Sequence, residues 1–354
     1  MVLWVDKYRP VNLSKLDLHE GVSKRLRTLV ASGDIPHLLF FGPSGGGKRT
    51  RIRAVLRELY GPGVEKLKIS NKEFRVGASK KKVEITILQS NYHIEMCPAD
   101  AGLNDTHVIT EVIKEIAQTH TLDPSTQRAY KIVVLNEVDR LTQQAQNALR
   151  RTMEKYMGTC RIFMCCESSC RVIEPLRSRC LGIRVPAPTK QEIVTVLKMI
   201  AKKENKLNLP EKTAVDIVER SDRNLRRAIL LFEATKMQQY PFTPDQKVNS
   251  ADWEVYIQSI ASSIVQEQSP MRLMQVRSKL YELLGNCIPP DVIMKTLTKE
   301  LLSRMDDELK YKVIELAAFF EHRMKIGNKP IYHLEAFVAK FMSEYKKFVV
   351  NMFG

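Results

Sequence analysis

The chain has 354 residues, 44% of them hydrophobic and 27% charged, and a formal net charge of +16. That length carries two or three domains, and no stretch approaches the ~20 consecutive apolar residues of a membrane span, so no membrane partner is expected. The positive excess points to a polyanion, nucleic acid first, with plain solubility as the competing reading.

The N-terminus, Met1-Val-Leu-Trp-Val-Asp-Lys, lacks the layout of a secretory signal. Seven cysteines, an odd number, argue for reduced thiols inside the cell. The apolar run His37–Phe41 reads as a strand that leads into a glycine-rich loop. Residues 48–60 follow with apolar positions Ile52, Val55, Leu56 and Leu59 at helical spacing. Lys80 to Leu88 alternates in strand fashion, and Lys131–Leu135 and Arg161–Cys165 are continuous apolar runs, as strands buried on both faces of a parallel sheet require. Leu141–Met157 reads as a helix between them. Cys165 and Cys166 end a strand and lack zinc-ligand spacing, so core packing explains them better than a metal. Together these predict an α/β domain with a doubly wound parallel sheet over 1–184.

After Val185-Pro-Ala-Pro188 the pattern turns helical, with helices expected at about 189–205, 210–221 and 224–239, and a small helical domain over 185–240. Breakers between Gln239 and Gln246 mark a linker. An all-α domain over 250–354 should hold four or five amphipathic helices, separated near Pro270, Pro289-Pro290, Asp306-Asp307 and Gly327–Pro330. Its Leu316, Phe319, Phe320, Phe337, Phe341 and Phe348 either pack together or supply a partner surface.

The loop Gly42-Pro43-Ser44-Gly45-Gly46-Gly47-Lys48-Arg49-Thr50 fits the phosphate-binding pattern G-x-x-x-x-G-K-[S/T] except at its last position. There Arg49 replaces the hydroxyl that holds Mg²⁺. Thr50 is one position on, a rotation of about 100°, and is expected to point away from the phosphates. The strand Lys131–Leu135 runs into Asn136-Glu137-Val138-Asp139, the place of the metal-holding and water-polarising acids of such sites. Asn136 is a poor metal ligand, while Glu137 is retained. Two substitutions act on one ion, so ATP or ADP is the expected ligand and Mg²⁺ at this site is in question. Arg49 could stand in for the cation.

These motifs, with Trp4-Val-Asp-Lys-Tyr8-Arg9-Pro10, Ala145–Glu154, Ile173–Cys180 and Asn224-Leu-Arg226-Arg-Ala, closely resemble the small subunits of eukaryotic replication factor C, AAA+ ATPases that load the sliding clamp onto DNA. Ser90-Asn-Tyr-His, Gln239-Tyr-Pro-Phe-Thr and Tyr332–Phe341 are most similar to the subunit 3 branch. The resemblance implies a P-loop AAA+ domain, a helical lid and a C-terminal collar. It also implies a heteropentamer in the nucleus whose partners are other replication factor C subunits, the clamp (proliferating cell nuclear antigen) and primer–template DNA, in replication and repair. It places Tyr8, Arg9 and Pro10 beside the adenine, and Arg226 from the lid on the chain's own nucleotide. Glu167 falls where an asparagine normally holds the catalytic water, with Arg49 as one possible partner for it. Arg179, in Ser-Arg-Cys, is implied as an arginine finger acting in trans on a neighbour's γ-phosphate. Arg140, Arg150 and Arg151 are candidate DNA contacts through phosphates, and a structural role for Arg150 or Arg151 is equally open.

The expectation is thus a clamp-loader subunit that binds nucleotide with little or no hydrolysis of its own. The alternative is an active DNA-stimulated ATPase motor, against which Arg49, Asn136 and Glu167 weigh. A scaffold with a vestigial loop is opposed by Lys48, Glu137 and Arg226.

Overall fold

The computed structural model describes residues 2–16, 18–76, 81–118, 130–204, 207–243, 246, 248–327 and 329–353. The chain divides into two compact units, Met1–Val248 and Asn249–Gly354. The first is built on a seven-stranded sheet. Its strands are β1 (Leu38–Phe41), β2 (Lys68–Val76), β3 (Lys81–Gln89), β4 (His93–Met96), β5 (Lys131–Leu135), β6 (Cys160–Cys166) and β7 (Leu181–Arg184). Their spatial order is β2-β3-β4-β5-β6-β1-β7.

Alternation along the central strands decides which helix layer each residue meets. Leu39, Val133, Leu135, Ile162 and Met164 share one core with helices α4 (Asp105–Gln118) and α5 (Gln143–Lys155). Leu38, Phe40, Ile132, Val134 and Phe163 face the other core with α2 (Glu20–Ala31) and α3 (Lys48–Tyr60). Both faces being covered, the strands can be apolar throughout, as their sequences are. The sheet is parallel through its centre, as expected of a doubly wound fold, and mixed at one edge. β4, β5, β6, β1 and β7 are parallel neighbours, whereas β2–β3 and β3–β4 are antiparallel. The outer strand β2 buries little, with Ile69 74% exposed, and so carries no continuous apolar run.

A short helix α1 (Trp4–Lys7) opens the unit, and α6 (Glu174–Arg177) precedes β7. Helices α7 (Lys190–Lys203), α8 (Glu211–Arg220) and α9 (Leu225–Gln238) then close on a separate core that includes Leu197, Ile217 and Phe232. Thr189 and Glu192 form a reciprocal capping box at the start of α7, and Asn224 caps α9 through the Arg227 N–H. Trp4 belongs to this core. Its ring meets Phe232 edge-on at 5.1 Å, and its backbone N–H donates to Glu233 Oε2 at 3.0 Å.

The second unit is a bundle of five helices: α10 (Asp252–Gln266), α11 (Pro270–Gly285), α12 (Pro290–Leu302), α13 (Asp307–Ile326) and α14 (Pro330–Phe353). Proline stands first in α11, α12 and α14, where its missing N–H costs nothing. Ile260, Ile264, Ile293, Leu297, Leu334, Phe337 and Phe341 form the dry core. Phe320 is buried with them, while Phe319 is 49% exposed. Among the described residues, no helix of either unit is long and apolar enough to cross a membrane.

Candidate nucleotide site

The phosphate loop follows β1, the strand lying between β6 and β7, and ends at the first residue of α3. This is the carboxyl end of a parallel sheet, where such folds receive ligands. Two glycines are there for space. Gly42 has φ +146°, and a Cβ on it would stand 1.9 Å from the Val185 carbonyl oxygen; Gly45 has φ +73°, and a Cβ would stand 1.9 Å from Asn224 Oδ1. The loop is therefore wedged between the residue after β7 and the cap of α9. Lys48 is buried and folds back, donating from Nζ to the Gly42 oxygen at 2.6 Å and the Pro43 oxygen at 2.9 Å.

One cavity gathers most of the residues the motifs singled out. Ser44 to Thr50, Asn136, Glu137, Glu167, Arg226, Tyr8, Arg9 and Pro10 all line it. Thr50 is thus among the lining residues. Gly42 and Pro43 act from behind, through Lys48. The cavity has a polar end at the loop. Its apolar part is formed by Val5, Tyr8 and Pro10 together with Val196, Met199, Ile200 and Ile229 of α7 and α9. The N-terminal segment is tied to the end of α7. The Tyr8 hydroxyl donates to Glu204, and Lys7 Nζ pairs with the same carboxylate at 2.6 Å. Arg9 is held by Asp6 at 2.7 Å.

Arg49 does not pair with Glu167. Its Nε and Nη2 donate to Glu95 Oε1, at 3.1 and 2.5 Å, correcting the sequence expectation. Glu95, on β4, is 4% exposed and 46 residues from Arg49 in sequence. Asn136 Nδ2 donates to the same Oε1 at 3.0 Å, and Arg53 Nη2 reaches Oε2 at 3.4 Å. Burial pushes the Glu95 carboxyl up, but the bond and charge of Arg49, then Arg53 and Asn136, outweigh it and hold the group below the usual carboxylate range. The residues do not fit a divalent cation of the P-loop kind. Mg²⁺ needs several oxygen ligands in near-octahedral array. Here a guanidinium and an amide N–H₂ occupy the two ligand positions, and the nearby carboxylate is consumed by them. The Asn136 Oδ1 is buried without a partner, a single neutral oxygen that makes no metal site.

Glu137 caps β5 in the left-handed region, φ 54°, and its Oε2 accepts from Arg140 Nη1 at 2.9 Å. Asp139 Oδ2 accepts the Glu167 N–H at 3.2 Å and so fixes the turn that carries Glu167. Two charged residues at this site went unseen in the sequence: Arg51, which lines the cavity, and Glu95, which is buried behind it on β4. Arg51 is 1% exposed; its Nη2 donates to the Leu18 oxygen at 2.5 Å and its Nε has no partner. Burial lowers its pKa to about 10, and the charge of Glu192 opposes this only in part. Glu95 is the other. An acid flanked by apolar residues in a short strand was its only signal.

Arg179 lies outside this cavity. Its Nε and Nη2 bind Glu154 Oε1 at 2.8 and 2.6 Å, and its Nη1 donates to the Pro175 oxygen at 2.8 Å. Arg140, Arg150 and Arg151 are also off the cavity, with Arg151 exposed and Arg150 half-buried.

Comparison with known proteins bears on the family and the fold. A family model described as "Replication factor C subunit 3, C-terminal domain" matches residues 253–349. Models described as "DNA polymerase III, delta subunit" and "RCF1/5-like, AAA+ ATPase lid domain" match 18–189 and 195–237. Replication factor C subunit 3 of Homo sapiens is 56% identical over 349 residues, covering 99% of this chain and 98% of the relative. The Arabidopsis thaliana protein of that name is 51% identical over the full length of both, and replication factor C subunit 5 of Schizosaccharomyces pombe is 44% identical over 99% of each. The solved structure of a Thermotoga maritima RuvB mutant shares the fold, with a TM-score of 0.50 and 16% identity over 77% of this chain and 85% of that one. The chain belongs to the replication factor C subunit 3 family.

Proposed function

We propose that this chain is a subunit of the heteropentameric clamp loader, which uses ATP to open the sliding clamp, proliferating cell nuclear antigen, and load it onto primer–template DNA in nuclear replication and repair. Its own site holds ADP or unhydrolysed ATP as a structural ligand. The observation that carries this reading is the Glu95 cluster, which fills both metal-ligand positions of an otherwise intact phosphate site.

Each residue has a part in that reading. The loop N–H groups and the N-terminus of α3 receive the phosphates. Lys48 exchanges its two carbonyl acceptors for phosphate oxygens, and Arg226 and Arg9 add charge from the other side of the cavity. Tyr8, Pro10 and the apolar face of α7 and α9 receive the base. Glu137 gives one oxygen to Arg140, and Glu167 puts a second negative charge where the γ-phosphate would stand. Arg179 is exposed and braced by Glu154 away from its own cavity, which suits a finger offered to a neighbouring subunit's nucleotide.

The test is steady-state ATPase of the assembled complex carrying Lys48→Ala or Arg179→Ala, with the nucleotide released on denaturation identified subunit by subunit. The finger variant should lose far more activity than the loop variant, on the order of 10³-fold against a few-fold. Turnover by the isolated chain at the rate of the complex would sink the reading.

A further inference from the structure

The two residues that replace the metal ligands are linked through one atom. Arg49 opens α3 and Asn136 follows β5, yet both donate to Glu95 Oε1, with Arg53 closing the second oxygen. Each replacement makes sense only with the other. An aspartate at 136 would set two carboxylates about 3 Å apart, whereas an amide can donate across that gap. A threonine at 49 would leave a carboxylate that is 4% exposed with the neutral Asn136 amide and, as its charged partner, the longer contact to Arg53. Arg49 spends Nε and Nη2 on Glu95, and its side chain is still 46% exposed on the cavity, so its remaining Nη1 edge is available to an anion there.

We propose that Glu95 is a positioning residue that locks Arg49 and Asn136 into one charge-compensated cluster, so that a fixed guanidinium takes the place of the divalent cation and the pocket holds nucleotide without metal. This rests on the nucleotide-site reading above. It makes the loss of metal ligands a substitution of one cation for another. Arg49 needs the clamp, because a free arginine side chain would lose rotamer entropy on meeting phosphate, and the two bonds to Glu95 have already taken it.

The experiment measures binding of mant-ADP, a fluorescent ADP analogue, to the full chain in Mg²⁺ and in excess EDTA. Four proteins are compared: the native chain, Arg49→Gln, Glu95→Gln and the double variant. The native Kd should change by less than about threefold on chelation. Arg49→Gln, which leaves Glu95 only the longer ion pair to Arg53 and a neutral amide behind the phosphates, should weaken binding by about tenfold or more. The same substitution in the Glu95→Gln background should cost less than about threefold, because coupled residues are non-additive. A residue with a merely structural role would lower the melting temperature of Glu95→Gln yet leave the two effects on Kd additive. Additive effects, or native binding that weakens more than about tenfold in EDTA, overturn the proposal while sparing the nucleotide reading. Failure to bind in either condition defeats that reading and the proposal with it. Should Glu95→Gln not fold, the native comparison with and without metal still decides.

Discussion

An arginine that is 1% exposed, bonded only to a backbone carbonyl and lowered by burial to a pKa of about 10, is an energetic liability unless something anionic completes it. Arg51 lines the same cavity as the phosphate loop, and its Nη1 lies 3.8 Å from where a Cβ on Gly47 would stand. Among the described residues it has no ion pair. Arg51→Met, which keeps length and removes charge, should therefore move stability and binding in opposite directions. Chemical denaturation of the nucleotide-free chain should show a gain of about 1 kcal/mol or more, while mant-ADP binding should weaken about tenfold, the worth of one charge-assisted hydrogen bond. If both fell together, Arg51 would be a packing residue. The sequence revealed Arg49 and Asn136, because each departs from a motif whose chemistry is known position by position. It did not reveal Glu95 or Arg51. Their meaning comes from a carboxylate on β4 meeting α3 and β5, and from a guanidinium folded under the loop toward Leu18, and no local pattern encodes such meetings.

At the level of elements, two histidines sit in or beside the sheet as neutral groups. His37 Nδ1 accepts the Ile162 N–H at 3.0 Å, joining the approach to β1 to β6. The His93 ring on β4 lies with Nδ1 2.7 Å from the Ser90 hydroxyl. Burial lowers each to about 4; the nearby Arg161 charge adds to this at His37, and Glu95 opposes it at His93. The unfolded chain takes up these protons near pH 6.5 and the folded chain resists until about pH 4, so stability is full above about 6.5 and is lost as pH falls toward 4. At pH 5 the loss should be about 1–2 kcal/mol per histidine relative to pH 7 by urea denaturation. His37→Gln should flatten part of that slope, and a slope unchanged by the substitution would remove His37 from the account. The elements themselves were largely readable. Residues 48–60 carried a helical period, and β5 and β6 were apolar throughout because both faces are covered. The antiparallel β2–β3 pairing was not legible, since an edge strand with Ile69 in solvent buries too little to leave a signature.

For the whole molecule, the net charge of +16 already counts every acid, but where the basic side chains are engaged decides which can meet a partner. Of the nine basic residues between Arg140 and Arg184 that face three acids in the sequence, Arg140 binds Glu137, Arg161 binds Asp34 and Arg179 binds Glu154. Arg150 is half-buried on α5 with its Nε unpartnered. Arg151, next along that helix, is exposed. The local excess of this segment is thus smaller than its own sequence suggests, because Glu137 and Asp34 lie outside it, and the two neighbouring arginines should separate by experiment. Each phosphate contact releases counterions, so log Kobs falls against log salt with a slope of about −0.9 per contact. In the assembled complex on primer–template DNA, Arg151→Ala should weaken binding equally for all sequences and reduce the magnitude of that slope by about 0.9. Arg150→Ala should instead lower the melting temperature and leave the slope within error, because a half-buried guanidinium serves the helix that carries it. Equal slopes for the native and Arg151→Ala complexes would take this face of α5 out of the DNA interface. The basic excess of the segment would then be read as solubility.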